Sequence, residues 1–411
     1  MSNNQRAQIA NIFSDILVKG ITLDDALLRH EATDDPFVKA HSYGLCRWFY
    51  QLSAIANALL EKPLKDKDAD IYALILLGLH QIYHSNIKPY AVVTETVDAV
   101  VHLKKIWAKG LVNACLRRAL REKENLFELV NKEETANHAH SKWMIEHLKK
   151  SWPNDWQKIL EANNHQAPMV LRVNKNGVQC CVYLDVPLPV KEIEGFSEGE
   201  VSVQDEASQY VAPLLKLQPN ERVLDACSAP GGKTGHLLET ESSIQLTALD
   251  VSESRLQKVK QNLERLKLGA RAKLIAGDAC QIDNWFDGHL FDKILIDAPC
   301  SGAGVIRRHP DIKLLRRKSD LQSFAEQQIK LLDSLWPLLK VGGLLLYTTC
   351  SVMPDENEAV IEAFLQSHAD ARSEIIQLPI GFAQQYGWQC FPQISRHDGF
   401  YYCLMVKVSS L

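Results

Sequence analysis

Two cysteines that follow apolar runs are the residues of this chain whose type and spacing best suit chemistry. The run 291–296 is followed by Asp297, Ala298, Pro299 and Cys300, and the run 344–347 by two threonines and Cys350. Apolar runs bounded by turn residues are typical of buried strands in a parallel sheet. Because open α/β sheets carry their chemistry at the carboxyl ends of the strands, we expect both thiols to face one crevice.

A thiol in this position favours covalent chemistry on a ring carbon. Methyltransferases that act on exocyclic amines often carry an aromatic residue at the position of Cys300, where it stacks on the base. A thiolate that adds to carbon 6 of a pyrimidine makes carbon 5 nucleophilic enough to accept a methyl group. The alternative is that Cys300 and Cys350 are small buried residues, which is the usual position of a free cysteine.

Three further acids end predicted strands, namely Asp225, Asp250 and Asp278. An acid at the end of the second strand accepts hydrogen bonds from ribose hydroxyls in doubly wound sheets. The glycine turn after Asp225 lets a ligand approach the backbone. This pattern suits an adenosine ligand without phosphates, which favours S-adenosylmethionine over a dinucleotide, although any single acid could also be a helix cap.

The elements around these residues form two different patterns. Residues 205–411 alternate strand, turn and helix, which predicts a Rossmann-like sheet of seven strands whose last two, 374–378 and 400–406, form an antiparallel hairpin. Residues 1–140 carry apolar side chains at helical spacing and predict an all-helical domain. Between them we predict a short strand at 167–174 and irregular chain after Gly177.

Composition excludes several classes of protein. The chain has 411 residues and a net charge of -4, so a polyanionic partner must be held by local basic patches. The 10 cysteines lack the Cys-x-x-Cys spacing of metal sites, and no run approaches the ~20 apolar residues that span a membrane. The polar start lacks a signal-peptide pattern, so we expect a cytoplasmic protein without metal or membrane association.

The motifs resemble known families. Residues 225–234, 297–302 and 348–351 are similar to the RNA 5-methylcytosine methyltransferase family, and 305–313 to its bacterial 16S ribosomal RNA branch (RsmB/Fmu/Sun-like). Residues 95–118 resemble the NusB-type RNA-binding helical domain. The basic residues there are either a solvated helix face or an RNA-binding surface: Lys104, Lys105, Arg117, Arg118 and Arg121.

The resemblance implies a role for each matching residue. Cys350 would attack carbon 6, Cys300 would resolve the adduct and release product, and Asp297 would lie against the base edge. The implied S-adenosylmethionine contacts are Cys227, Ser228, Ala229, Pro230, Gly231, Gly232, Lys233, Asp250, Asp278 and Asp297. The basic residues expected to meet RNA phosphates are Arg307, Arg308, Lys313, Arg316, Arg317 and Lys318.

The same resemblance implies the domain organisation and the substrate. Residues 1–140 would be the NusB-like RNA-binding domain, and residues 205–411 the methyltransferase domain. Residues 141–204 would be a linker with a reduced RNA-binding subdomain, since 172–202 is short for a full copy. The expected substrate is a cytosine of 16S ribosomal RNA, free or in early assembly, which would be flipped out to reach the site.

Two alternatives remain open at this point. In a DNA cytosine-5 methyltransferase, Cys300 rather than Cys350 would be the attacking thiol. In a non-catalytic RNA-binding or antitermination factor, the cofactor fold would serve only as a platform. Covalent trapping distinguishes the first alternative, and transfer from labelled S-adenosylmethionine distinguishes the second.

Overall fold

The computed structural model describes residues 4–175 and 178–409, and the chain divides into two compact units. The helical unit contains Met1–Gln166 together with Ile306–Arg317, and the sheet unit contains Ala167–Val305 and Lys318–Leu411. Gly177, after which we predicted irregular chain, lies outside the described residues. No described helix is long and apolar enough to cross a membrane.

The α-helices are numbered in chain order. They are α1 Gln5–Lys19, α2 Leu23–Arg29, α3 Pro36–Leu59, α4 Ala69–His84, α5 Pro89–His102, α6 Lys109–Arg121, α7 Lys123–Val130, α8 Glu134–His138, α9 Lys142–Ser151, α10 Trp156–Asn164, α11 Glu206–Gln209, α12 Val211–Leu214, α13 Gly232–Thr240, α14 Glu253–Arg265, α15 Ile312–Leu315, α16 Lys318–Leu335 and α17 Glu358–Ser367.

The strands are numbered in the same way. They are β1 Met169–Lys175, β2 Val178–Leu184, β3 Val201–Val203, β4 Arg222–Asp225, β5 Gln245–Asp250, β6 Ala272–Ala276, β7 Phe291–Asp297, β8 Leu339–Thr349, β9 Ala371–Ser373, β10 Phe382–Ala383, β11 Trp388–Cys390 and β12 Phe400–Lys407.

The amino-terminal part is all-helical, as predicted. The Asn4 side chain caps α1 by accepting from Ala7 N, and the helix ends at Gly20, whose φ of 66° suits a residue without a side chain. Helix α4 is the most buried and packs against α1, α3, α5 and α6. Unexpectedly, the segment 306–317 belongs to this unit, although it directly follows the predicted catalytic turn.

The large sheet has the predicted Rossmann-like class. Its strands run in the order β10-β11-β12-β8-β7-β4-β5-β6, with β9 paired to β12. Strands β4 to β8 pair in parallel, and β12 pairs antiparallel to β8, as predicted for the last strand. The described part of this sheet has 9 strands rather than seven. The parallel order brings the carboxyl ends of β4, β5 and β7 to one edge.

Two predicted details of the sheet unit were wrong. Residues 374–378 are not a strand, because pairing with β12 ends at Ser373. Ile375, whose branched side chain is typical of strands, is 96% exposed. The first residues after Gly177 are not irregular, because β2 pairs with β1 along its length, whereas residues 185–200 contain only turns and one short 3-10 turn. That pairing depends on a partner strand and is not visible in β2 alone.

The small sheet has the order β2-β1-β3 and is anchored within the sheet unit by two arginines. The guanidinium of Arg172 on β1 donates to Gly232 O at 3.3 Å and forms an ion pair with Glu239. Arg265 on α14 donates to Val201 O at 2.8 Å. The short strand predicted at 167–174 is present as β1, and the Asp205 side chain caps α11 by accepting from Ala207 N at 2.9 Å. The functional boundaries at 140 and 204 stay a prediction.

Candidate active site

The structure brings the two predicted thiols into contact at the carboxyl ends of β7 and β8. The strands pair with Asp297 opposite Thr348, so the turns after them leave the sheet side by side. The Sγ atoms of Cys300 and Cys350 are 3.5 Å apart. The hydrogen bond with Cys350, together with burial, raises the pKa of the Cys300 thiol well above its usual value, so this thiol stays protonated near neutral pH.

The carboxylate of Asp297 is paired with Lys233, which lies in the first turn of α13. Lys233 Nζ is 2.7 Å from Asp297 Oδ2 and lies 5.0 Å from the centroid of the Phe400 ring. Burial lowers the pKa of Lys233, but the charge and hydrogen bond of Asp297 outweigh it, so the net pKa is raised. The ammonium of Lys233 is therefore a fixed positive charge, and the charge of Cys350 contributes to its raised pKa.

A cavity of about 360 Å³ opens beside the thiols. Its lining combines the apolar side chains of Leu249, Ala279 and Leu331 with strand-end carboxylates. The predicted site residues that line it are Cys227, Ala229, Asp250, Asp278, Asp297, Cys300 and Cys350. Apolar walls with a few polar groups are typical of small-molecule sites, and this combination suits an adenine ring and a ribose.

The glycine turn between β4 and α13 lines an adjoining cavity of about 170 Å³. The predicted residues along it are Cys227, Ser228, Ala229, Pro230, Gly232, Lys233 and Asp297. Gly231 is absent from the lining of both cavities. Its φ is 98°, and a Cβ atom there would lie 2.9 Å from Val259 Cα. The absence of a side chain at Gly231 therefore serves the turn and the packing of α14.

The acids at the ends of β4 and β5 hold this turn in place. Asp250 accepts hydrogen bonds from Ala229 N at 3.1 Å and Ser252 N at 3.0 Å. Asp225 Oδ2 accepts from Thr234 Oγ1 at 2.7 Å, whereas its Oδ1 atom is buried without a hydrogen-bond partner among the described residues. Burial raises the pKa of Asp225 to about 7. Each carboxylate oxygen has two acceptor positions, so Asp250 can accept further donors from a ligand.

Below the thiols lies a hydrogen-bond network that sequence reasoning missed. Glu356 is fully buried and accepts from Ser301 N at 2.6 Å and Ser351 Oγ at 2.7 Å. Asn357 Nδ2 donates to Ser351 O at 3.0 Å. The only indication of this network in the sequence is the serine that directly follows each cysteine, and the partner of a hydroxyl group cannot be predicted from sequence.

The basic residues predicted to meet phosphates are divided by burial. Arg307 and Lys313 are 1% and 0% exposed, so the prediction for these two is wrong. Their polar groups bind within the helical unit: Arg47 Nη2 donates to Arg307 O at 3.0 Å, and Lys313 Nζ donates to Arg47 O at 2.9 Å. For the remaining residues phosphate contact stays a prediction: Arg308, Arg316, Arg317 and Lys318.

The basic residues of the helical unit are mostly engaged with acids. Lys105 lies between Asp68 and Asp70, with Nζ to Oδ1 distances of 3.1 and 2.6 Å. Arg118 and Arg121 both pair with Glu122. These exposed or half-buried pairs contribute little stability and could exchange for phosphates. The ion pairs are therefore compatible both with a solvated helix face and with an RNA-binding surface.

Similarity to known proteins agrees with this architecture. Residues 212–406 match the family described as 16S rRNA methyltransferase RsmB/F, and residues 3–121 match the NusB family. Residues 140–186 match a ferredoxin-like domain described as RsmF/B-like. The last match includes α9 and α10, which lie within the predicted linker and reduced subdomain of residues 141–204, and it begins well before the segment 172–202.

Two relatives are similar over nearly their whole length. The probable ribosomal RNA small subunit methyltransferase B of Coxiella burnetii is 42% identical, covering 98% of this chain and 99% of that protein. The ribosomal RNA small subunit methyltransferase B of Pseudomonas syringae pv. tomato is 44% identical, covering 95% of this chain and 93% of that protein.

Two solved structures share the fold. The crystal structure of PH0851 has a TM-score of 0.80 at 22% identity, covering 99% of this chain and 100% of that chain. A methyltransferase homolog protein from Pyrococcus horikoshii has a TM-score of 0.57 at 26% identity, covering 67% and 97%.

The sheet order, the cavity at its carboxyl edge and these similarities define a Rossmann-like methyltransferase with a NusB-like helical region. The predicted fold class, a Rossmann-like sheet preceded by a NusB-like helical region, and the predicted resemblance to the RsmB family are thereby confirmed. The chain belongs to the 16S rRNA methyltransferase RsmB/F family, since it matches the family's catalytic domain and is more than 40% identical to full-length relatives.

Proposed function

We propose that this protein transfers a methyl group from S-adenosylmethionine to carbon 5 of a cytosine in 16S ribosomal RNA, through a covalent bond between Cys350 and carbon 6. The observation that carries this proposal is the 3.5 Å contact between the two thiols beside the cavity. One buried thiol would suffice for packing, whereas two in contact at adjacent strand ends suit formation and release of an adduct.

In the proposed reaction the Cys350 thiolate bonds to carbon 6, and the electron pair of the 5,6 double bond moves toward carbon 5. The bound S-adenosylmethionine supplies an electrophilic methyl group. Carbon 5 accepts the methyl group, its proton then passes to a water molecule, and re-formation of the 5,6 double bond expels the Cys350 thiolate from carbon 6. Lys233 supports this sequence because its ammonium favours negative charge on Cys350. Asp297 would lie at the base edge, where its carboxylate can accept a hydrogen bond from a proton on ring nitrogen 3, and that proton neutralises the charge that develops as the thiolate adds.

The raised pKa of Cys300 supports different roles for the two cysteines. A thiol that stays protonated is a poor nucleophile, so Cys300 suits the release step rather than the attack. Protonated Cys300 can donate a hydrogen bond to the Cys350 sulfur as that sulfur leaves carbon 6. Covalent trapping tests this assignment of roles against the DNA-type alternative, in which Cys300 attacks.

The carboxylates at the cavity suit S-adenosylmethionine. Asp250 is available to accept from ribose hydroxyls, and Asp278, which also lines the cavity, from the amino group of adenine. The unpartnered Oδ1 atom of buried Asp225 supports a hydrogen-bond donor on the ligand side of the glycine turn. No described group of His, Cys, Asp or Glu is arranged to hold a metal ion, and none is needed in this proposal.

The covalent step is tested with RNA containing 5-fluorocytidine, which cannot lose the carbon 5 substituent. Cys350→Ala should abolish the denaturation-resistant protein–RNA adduct, whereas Cys300→Ala should accumulate it with unmodified RNA. Cys180→Ala, at an exposed thiol on β2, is the control. Adduct formation that depends on Cys300 and not on Cys350 would support the DNA-type mechanism. Absence of transfer from labelled S-adenosylmethionine would support the non-catalytic alternative.

The RNA substrate and the division of labour among the domains belong to the same proposal. The names of the relatives and the NusB match support 16S ribosomal RNA, free or in early assembly, bound partly by residues 1–140. Residues 141–204 would add RNA contacts, and residues 205–411 the chemistry. Bisulfite sequencing of 16S ribosomal RNA from cells with and without the gene would identify the cytosine, and unchanged 5-methylcytosine would contradict the proposal.

A further inference from the structure

Glu356 is a buried carboxylate that binds both turns that carry the thiols. It is 0% exposed and follows β8 in a short 3-10 turn. Its Oε1 atom accepts from Ser301 N at 2.6 Å. Its Oε2 atom accepts from Ser301 Oγ at 2.5 Å and from Ser351 Oγ at 2.7 Å. A carboxylate suits this position because these three donors converge on two acceptor oxygens.

Each of the two serines directly follows a thiol. Ser301 comes after Cys300 and Ser351 after Cys350, and the two hydroxyl oxygens are 3.3 Å apart. The backbone of Glu356 is itself held, since Tyr347 Oη on β8 donates to Glu356 O at 2.6 Å. A displacement of either turn would break a buried hydrogen bond to this carboxylate, and such bonds are costly to leave unmade.

We propose that Glu356 is a positioning residue that sets the distance and orientation between the sulfur atoms of Cys300 and Cys350. It does not line the cavity beside the thiols, so it acts through Ser301 and Ser351. The effect on thiol geometry is independent of the reaction. Its consequence for product release rests on the function proposed above.

Disulfide trapping measures the geometry without any turnover. Two thiols in contact are oxidised by a diazene oxidant, diamide, which takes up two hydrogens and leaves one disulfide. The yield of the Cys300–Cys350 disulfide in the full-length protein is followed over time by peptide mass spectrometry. Glu356→Ala and Ser351→Ala are the test variants. Glu358→Gln is the matched control, because that carboxylate accepts from Tyr386 N and is not bonded to either serine.

We expect Glu356→Ala and Ser351→Ala each to slow trapping by about tenfold, the factor that loss of a buried hydrogen bond commonly gives. Glu358→Gln should react like the unmodified protein. Glu356→Gln should recover most of the rate, because an amide oxygen still accepts from Ser301 N while its NH₂ group can donate to the hydroxyls. The double variant Glu356→Ala/Ser351→Ala should be trapped no more slowly than either single variant, since each substitution already breaks the same link between the two turns.

Charge and geometry act in opposite directions in this test. The charge of Glu356 contributes to the raised pKa of Cys300, so its removal alone would favour the thiolate and faster oxidation. A slower rate therefore reports displacement of the thiols. Ser351→Ala retains the carboxylate and also covers the case in which Glu356→Ala fails to fold. Trapping at the unmodified rate in folded Ser351→Ala would overturn the proposal.

The catalytic readout separates this inference from the proposed function. We expect kcat for methyl transfer to fall in Ser351→Ala while KM for S-adenosylmethionine stays unchanged, with the covalent RNA adduct accumulating as in Cys300→Ala. Altered trapping without any methyl transfer in the unmodified protein would retain the positioning role and reject the function. Unaltered trapping with normal transfer would reject the positioning role alone.

Discussion

Two lysines, one in each unit, have opposite electrostatic environments. Lys233 in the sheet unit forms an ion pair with Asp297, and its net pKa is raised. Lys313 in the helical unit is fully buried, and burial together with the charge of Arg47 lowers its pKa well below the usual value. Its Nζ atom donates to Arg47 O at 2.9 Å, Ala139 O at 3.0 Å and Asn164 Oδ1 at 2.5 Å.

The difference lies in the partners and not in the residue type. A carboxylate partner keeps the Lys233 charge beside the thiols, where charge serves chemistry. The Lys313 side chain donates to carbonyl and amide oxygens, and these hydrogen bonds connect the segment 306–317 to α3, to the end of α8 and to α10. Closeness in sequence to a catalytic turn is therefore not enough to predict that a basic residue contacts RNA.

The largest effect is expected at the ion pair. Lys233→Met should lower methyl transfer by about 100- to 1,000-fold, because the site loses the cation that balances Asp297 and favours the Cys350 thiolate. Single-turnover transfer from labelled S-adenosylmethionine measures this. Lys340→Met is the control, since Lys340 also pairs with an aspartate, Asp292, but is half-exposed and is absent from the lining of both cavities. An equal loss of methyl transfer in Lys233→Met and Lys340→Met would contradict a specific role of the Lys233 charge.

An intermediate effect on stability is expected at Lys313. Lys313→Ala should lower the free energy of unfolding by about 3 kcal/mol, because it leaves a cavity and removes three buried hydrogen bonds. Lys313→Met keeps most of the side-chain volume and should lose less. Chemical denaturation monitored by circular dichroism gives both values.

The same variants should remove a pH dependence. The folded-state pKa of Lys313 is lowered, so the unfolded chain binds the extra proton and stability rises with pH. The rise begins above the folded-state pKa and ends near the unfolded value of about 10.4. Denaturation at several pH values in this window should show a smaller slope for Lys313→Met than for the unmodified protein. An unchanged slope would mean that Lys313 stays charged when buried.

The smallest effect is expected at the ring beneath Lys233. Phe400→Leu should weaken the cation–π contact, which contributes about 0.5–1 kcal/mol, and lower methyl transfer by about twofold to fivefold. Phe364→Leu is the control, because that buried ring packs against Trp336 instead of a lysine. It should reduce stability similarly and leave methyl transfer unchanged.

Much of the candidate site was predictable because its residues end strands. Asp297, Cys300 and Cys350 follow apolar runs, and parallel strands bring their carboxyl ends to one edge. The helical nature of residues 4–130 was predictable from apolar spacing. The strand β2 was not, because its pairing with β1 is a property of two segments together.

The sequence by itself determined which side chains could do chemistry, which strands carry them and which family they resemble, because these follow from residue types and from periods of two to four residues. Only the tertiary structure decided which charges are paired and which are buried. Lys313 binds a carbonyl 266 residues away along the chain, and Glu356 binds a serine 55 residues away. Burial and hydrogen-bond partners are properties of the packed chain, so the roles of Lys233 and Lys313 differ for reasons that the residue type alone does not contain.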